Sequence, residues 1–240
     1  MRVLVIGGSG YVVGLMLPAL MARHDVTVLD PRPGSGAHSH LVGSASDPVA
    51  LAAAVDGVDV VLHAALSDPT GDPLDAAARA FDSHVTSLHL TLAAAHRAGV
   101  RHAVHLSSLS VYGDLTGRAL DETVPPDATD LYGLTKRLAE QVCHAATAQW
   151  DMSVTVLRLA WPTTEEAWPA WSLPGVPPKT HALDGTPVHG LAAGDLGRAV
   201  LAALDHRDGF DVFHITGTDR GGLWNQAKAR ERLRWAPRRR

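Results

Sequence analysis

The chain has 240 residues, 46% of them apolar, enough to bury the core of one α/β domain or two small ones. A net charge of −4 with neutral histidine gives no sign of global nucleic-acid binding. The single cysteine, Cys143, rules out an intrachain disulfide. No leader precedes the first apolar run, and no run approaches the ~20 residues of a membrane span, so a soluble cytoplasmic protein is the expectation.

In chain order, Arg2-Val-Leu-Val-Ile6 is a short apolar, β-rich run. It leads into Gly7-Gly-Ser-Gly10 and then a helix-like segment over 11–22. Strand, glycine turn and helix in that order make a cradle for a pyrophosphate: glycine lets backbone approach the phosphates, and the helix N-terminus favours negative charge. The second strand, 26–29, ends on Asp30, 20 residues beyond Gly10, where a carboxylate can accept from the ribose hydroxyls of a dinucleotide. Further strands are predicted over 58–62, 102–106 and 154–159, with a very short one beginning at Leu41-Val42. Helices are predicted over 48–55, 74–97 and 131–149. This alternation predicts an α/β fold, a Rossmann-type, doubly wound parallel sheet covered on both faces. A core over 1–160 and a small substrate lobe over 161–240 are expected, interleaved as one unit. Within the lobe, 162–190 is rich in proline and reads as a lid; a helix over 194–204 and a strand over 212–215 follow. Asp195 is expected to cap that helix, and Arg238-Arg-Arg240 to be a solvated tail.

The most informative stretch is Tyr132-Gly-Leu-Thr-Lys136. A spacing of four puts phenol and ammonium on one helical face, about one turn apart. A neighbouring cation favours phenolate, so the pair is expected to exchange a proton with a substrate oxygen near neutral pH. Only three lysines occur among 21 basic residues, which adds weight to Lys136. The plainer reading is an amphipathic helix with an incidental tyrosine.

With these motifs in place the chain resembles the extended short-chain dehydrogenase/reductases of the NAD-dependent epimerase/dehydratase type, from Met1 to about Pro237. Gly7, Gly8 and Gly10 match that family's glycine loop, Asp30 its acid after the second strand, and Asp47 an acid that touches adenine. His63-Ala64-Ala65 matches the strand end passing beneath the cofactor, and the segment from His105 to Gly113 matches the strand bearing the active-site hydroxyl, Ser108. The resemblance implies catalysis by Ser108, Tyr132 and Lys136. It implies a cofactor site of Gly7, Ser9, Gly10, Tyr11, Val12, Asp30, Asp47, His63, Ala64 and Ala65, with Tyr132 and Lys136 at the nicotinamide ribose. NAD is expected over NADP, because Asp30 would repel a 2′-phosphate; Arg32 lies close enough to offset part of that repulsion. A homodimer is implied through helices 74–97 and 131–149, where Leu134, Leu138 and Val142 recur at four-residue steps. Two positions depart from the family pattern: Val13 replaces the third loop glycine, and His84 stands where an asparagine is usual.

The segments around Leu157-Arg-Leu-Ala-Trp-Pro162 and 213–237 look like small uronate dehydrogenases, which implies a sugar or sugar-acid substrate. Arg158 then has two readings, a structural carboxylate partner or a substrate carboxylate, and the resemblance favours the second. Ser67, Thr163 and Thr164 are candidate substrate contacts. The tryptophans from Trp161 to Trp171 can stack on a sugar or fill a thin core. Ser107, Ser108 and Ser110 can also simply end a strand. Fourteen histidines show no compact ligand pattern, so no metal is expected. An epimerase or dehydratase without net redox, and a non-catalytic dinucleotide sensor, are the alternative functions.

Overall fold

The computed structural model describes residues 1–182, 185 and 187–238. Arg239, Arg240 and three positions of the expected lid lie outside the described residues. In chain order the elements are β1 (Arg2–Ile6), α1 (Tyr11–Met21), β2 (Asp25–Asp30), β3 (Ser39–Val42), α2 (Pro48–Ala54) and β4 (Val60–His63). Then come α3 (Pro73–Phe81), a π-helical turn (Asp82–Thr86), α4 (Ser87–Arg97), β5 (His102–Ser108), α5 (Leu131–Trp150) and β6 (Ser153–Leu159). The last third holds β7 (Pro162–Thr163), β8 (Trp171–Leu173), β9 (Val176–Lys179), β10 (Leu191–Ala192), α6 (Ala193–Asp205), β11 (Phe210–Ile215) and α7 (Ala227–Arg232).

Seven strands form one sheet in the order β11-β6-β5-β4-β1-β2-β3, every pairing parallel. The pleat divides each strand between two cores. Val3 and Val5 join Val13, Met16 and Leu20 of α1 and Leu196 and Val200 of α6 on one face. Leu4 and Ile6 join Leu51, Leu88, Leu92 and Cys143 of α2, α4 and α5 on the other. A strand covered on both faces is apolar throughout rather than alternating, which is why β1 reads as a continuous run. The last third returns to this sheet: β11 pairs with β6 from Phe210 to Ile215, and α6 packs beside α1, where a Cβ on Gly197 would stand 2.8 Å from the Ala19 methyl.

Three local expectations are revised. The helix expected over 74–97 contains a π-helical turn centred on His84. Val13 is buried against the sheet, and the glycine loop itself approaches β2 closely at Gly8, whose Cβ would lie 2.4 Å from both Val28 methyls. Asp195 does not cap α6. It sits inside the first turn, ion-paired to Arg198 at 2.5 Å and accepting from the Arg238 amide at 3.1 Å. Among the described residues no helix is long and apolar enough to cross a membrane.

Candidate active site

The C-terminal ends of the parallel strands open into two adjoining clefts, the position at which ligands bind such sheets. The first has a volume of about 470 Å³ and is lined by Gly7, Gly10, Asp30, Arg32, Ala65 and Ser67, among others. Gly7 makes its turn possible. Its φ is +79°, and a Cβ there would lie 2.6 Å from the Ala65 Cα, so any other residue would push the loop off β4. Gly10 precedes α1 without a side-chain cap, leaving the first helical amides to meet an anion. Asp30 is 3% exposed. Its Oδ2 accepts from the Ser9 amide at 3.0 Å and its Oδ1 from the Arg32 amide at 2.8 Å. Its carboxylate is thus fixed at the cleft, with the Arg32 Nε 3.5 Å away. These groups fit a dinucleotide: a glycine cradle a Cβ would fill, free helix amides, and an oriented carboxylate for ribose hydroxyls.

The second cleft, about 400 Å³, shares Tyr11, Ala64 and Leu66 with the first and contains Val12, Ser108, Tyr132 and Lys136. The sequence triad is therefore brought together. Ser108 ends β5, and its hydroxyl accepts from the Ser110 amide at 3.1 Å, which turns the chain into a short 3₁₀ segment. Asp130 caps α5 by accepting from the Gly133 amide at 3.0 Å, so Tyr132 projects from the first turn of the helix. Gly133 permits the approach. A Cβ there would lie 2.3 Å from the Ser110 carbonyl oxygen and 2.5 Å from the Ala128 methyl.

The electrostatics differ from the simple expectation of a phenol acidified by its lysine. Desolvation raises the Tyr132 pKa, a hydrogen bond with Ser108 lowers it in part, and Asp130 adds to the rise. Lys136 shifts as well: burial lowers it to about 8, with Glu140 opposing. Its ammonium donates to the Leu106 carbonyl at 3.0 Å and lies 6.0 Å from the Tyr132 ring centre. At neutral pH the chain alone therefore presents a protonated phenol beside a cation close to its own pKa.

His84 occupies the place of the expected asparagine and ties two segments together by hydrogen bonds. Its Nε2 accepts from the Ser67 amide at 3.4 Å, which places the proton on Nδ1, 2.8 Å from the Thr135 hydroxyl. Thr135 in turn donates to the Leu131 and Tyr132 carbonyls at 2.9 and 3.0 Å. Burial, then Lys136, lowers His84 to about 3, so it is a neutral connector between the loop after β4 and the turn that carries Tyr132. His63 lies beneath the cleft rather than in its wall; its Nε2 meets the Ser87 hydroxyl at 2.9 Å.

Arg158 does not line either cleft. Its Nε and Nη2 bind both oxygens of Glu140 at 2.9 and 2.7 Å, and its Nη1 donates to the Tyr112 hydroxyl. Both partners of the ion pair are 4% exposed. A buried guanidinium needs compensation, and the internal carboxylate supplies it. This corrects the substrate-carboxylate expectation in favour of the structural one. Ser107 donates to the same carboxylate at 2.6 Å, and Tyr112 also meets His214 at 3.0 Å. Sequence reasoning missed Glu140, although Lys136 and Glu140 sit four apart on the face that carries Tyr132.

Asp47 and Thr163 are likewise absent from the cleft walls. Asp47 caps α2 by accepting from the Val49 amide at 2.9 Å. Thr163 is fully buried and accepts from the Ser172 amide at 3.2 Å. The Thr164 hydroxyl accepts from the Ala167 amide at 3.2 Å, within the turn that follows β7. Tyr11 bridges the two clefts, and its hydroxyl donates to the Ser172 carbonyl at 2.7 Å, pinning β8 over the site. Trp161 packs on Trp224 with ring centres 5.1 Å apart, and both Trp161 and Trp171 reach the second cleft. Among the described residues no group of three or more His, Cys, Asp or Glu side chains could hold a metal ion.

A seven-stranded parallel sheet with a glycine cradle beside a Ser/Tyr/Lys cluster defines a dinucleotide-binding protein of the Rossmann type. The model of the NAD dependent epimerase/dehydratase family matches residues 3–165, and the chain belongs to that family. It is 30% identical over 166 residues to a UDP-glucose 4-epimerase of Corynebacterium glutamicum, covering 66% of this chain and 50% of that protein. It is 37% identical over 169 residues to a 3 beta-hydroxysteroid dehydrogenase/Delta 5→4-isomerase of Mycobacterium tuberculosis, covering 65% and 46%. The chain thus spans about half the length of the curated relatives it matches. A solved uronate dehydrogenase, a mutated form, superposes with a TM-score of 0.77 at 20% identity, over 99% of this chain and 82% of that one, which shows the shared fold.

Proposed function

We propose that the chain is an NAD-dependent oxidoreductase that interconverts a hydroxyl and a carbonyl on a small substrate. The observation that carries this reading is the convergence of Ser108, Tyr132 and Lys136 in one cleft beside the glycine loop. NAD, when bound, supplies the hydride acceptor and donor. Ser108 and Tyr132 hold the reacting oxygen. Tyr132 takes the hydroxyl proton in oxidation and returns it in reduction. Lys136 stabilises the phenolate that accepts this proton in oxidation and that forms in reduction, against the desolvation that favours the phenol. Asp30 favours a free ribose hydroxyl over a 2′-phosphate, which supports NAD over NADP. An epimerase or dehydratase would use the same groups and return the hydride before release.

Tyr132→Phe tests the proton-transfer role. Turnover should fall by about 10²–10⁴, while dinucleotide affinity stays within a few-fold. Turnover is read as the ultraviolet absorbance of released reduced NAD, and a cofactor that is reduced and reoxidised without release would favour the epimerase reading. Titration with both dinucleotides checks the cofactor, and tighter NADP binding would show that Arg32 dominates Asp30. We infer a homodimer through the helical segment 74–97, which comprises α3, the π-helical turn and α4, and through α5, supported by the half-buried Leu134, Leu138 and Val142. A monomeric mass by light scattering at micromolar concentration would remove that inference.

A further inference from the structure

The cleft around Ser108 and Tyr132 is chemically one-sided. Leu66, Leu115, Leu159, Trp161, Trp171 and Leu173 form much of its wall. Among the described residues, no carboxylate, carboxamide, guanidinium or imidazole lines it. Polar side chains do reach it, but three are already committed. The Tyr11 hydroxyl donates to the Ser172 carbonyl, the Ser107 hydroxyl to Glu140, and the Lys136 ammonium to the Leu106 carbonyl. The hydroxyls of Ser108, Ser110 and Tyr132 and the indole N–H groups of Trp161 and Trp171 remain, few polar groups for a wall of this extent, and Tyr132 and Ser108 are hydrogen-bonded to each other. The adjoining cleft shows the contrast, with Asp30, Arg32, Ser44, Ser46, Ser67 and Asp68 in its wall.

A polyol entering the second cleft would leave most of its hydroxyls without partners, and each loses its water on entry. A sugar acid fares worse, because its carboxylate needs a cation. The nearby arginine, Arg158, is locked to Glu140, and the only cation in the wall is Lys136. We infer that the substrate is a small neutral alcohol or ketone of apolar carbon skeleton, bearing one reacting oxygen. In the oxidising direction the carbinol would give a hydride, its C–H hydrogen with the bonding electron pair, to bound NAD, its O–H proton would pass to the Tyr132 phenolate, and a C=O bond would form. The direction of this chemistry rests on the oxidoreductase reading; the binding preference does not.

A binding measurement therefore tests the inference separately from turnover. The NAD-saturated protein is titrated with cyclohexanone, galactose and galacturonate, and occupancy is followed by ligand-observed NMR. Cyclohexanone should bind at least about tenfold more tightly than either sugar. Leu173→Asp should weaken cyclohexanone at least about tenfold while the NAD titration is unchanged. Sugar or sugar-acid binding as tight as that of the ketone overturns the inference. So does undetectable ketone binding, or a Leu173→Asp variant that binds the ketone as well as the wild type. Ketone binding without any turnover would instead count against the oxidoreductase reading alone.

Discussion

The two clefts that meet at Tyr11 are built by different means. The first is anchored by backbone, through the Gly7 turn, the open amides of α1, and Asp30 fixed by two amides, with polar side chains completing its wall. The second is made of side chains drawn from distant segments, with β5, α5, the end of β6 and the β8 strand each contributing part of the wall. A backbone-built site tolerates sequence change wherever the turn survives, so the loop accepts Val13 without losing its form. A side-chain site has no such tolerance, and its chemistry follows whichever residues the fold happens to converge. The common cofactor half can thus stay constant while the substrate half is rewritten.

The strongest way to separate the two halves is to cut the buried pair beneath the second. Glu140→Ala leaves the Arg158 guanidinium uncompensated and should cost about 3–5 kcal/mol of stability by urea unfolding. A loss near zero would mean that water or another acid replaces the carboxylate. Gly133→Ala acts more locally. Its methyl would press on the Ser110 carbonyl and shift Tyr132 from Ser108, and displacements of about 1 Å cost roughly 10² in rate. The rate should drop on that scale with NAD affinity kept; loss of NAD binding instead would show that the clefts are not independent.

A further prediction concerns protons. Burial lowers His63 and His105 well below the ordinary imidazole value, and His84 and His214 to about 3. Between about pH 6.5 and 3 the unfolded chain binds protons that these folded imidazoles refuse, so stability falls as pH drops through that window. Each group contributes up to about 1.4 kcal/mol per pH unit. Urea midpoints should decline from about pH 7.5 to about pH 5.5, and His105→Leu should flatten the slope by about one group. A flat wild-type profile would show that those imidazoles are protonated in the folded protein.

Much of the fold was legible because its signals are local. Continuous apolar strands, the glycine turn and Asp30 each depend on neighbours within some 20 residues, and the Tyr132–Lys136 spacing depends on a single helical turn. Their convergence with Ser108 followed from the order of parallel strands. The partner of Arg158 was not legible, since Glu140 reaches it only when α5 packs across β6. Thr163 looked like a ligand contact, yet it is buried and accepts from the Ser172 amide, while Asp47 caps α2 through one carboxylate oxygen. His84 was visible as a departure, but its neutral bridge from Ser67 to Thr135 exists only once the π-helical turn faces α5. The sequence by itself determined the parallel α/β sheet, the dinucleotide cradle and the Tyr132–Lys136 pairing, all encoded by short-range pattern. Only the tertiary structure decided what surrounds Ser108 and Tyr132, because burial and side-chain partners arise from contacts between segments far apart in the chain.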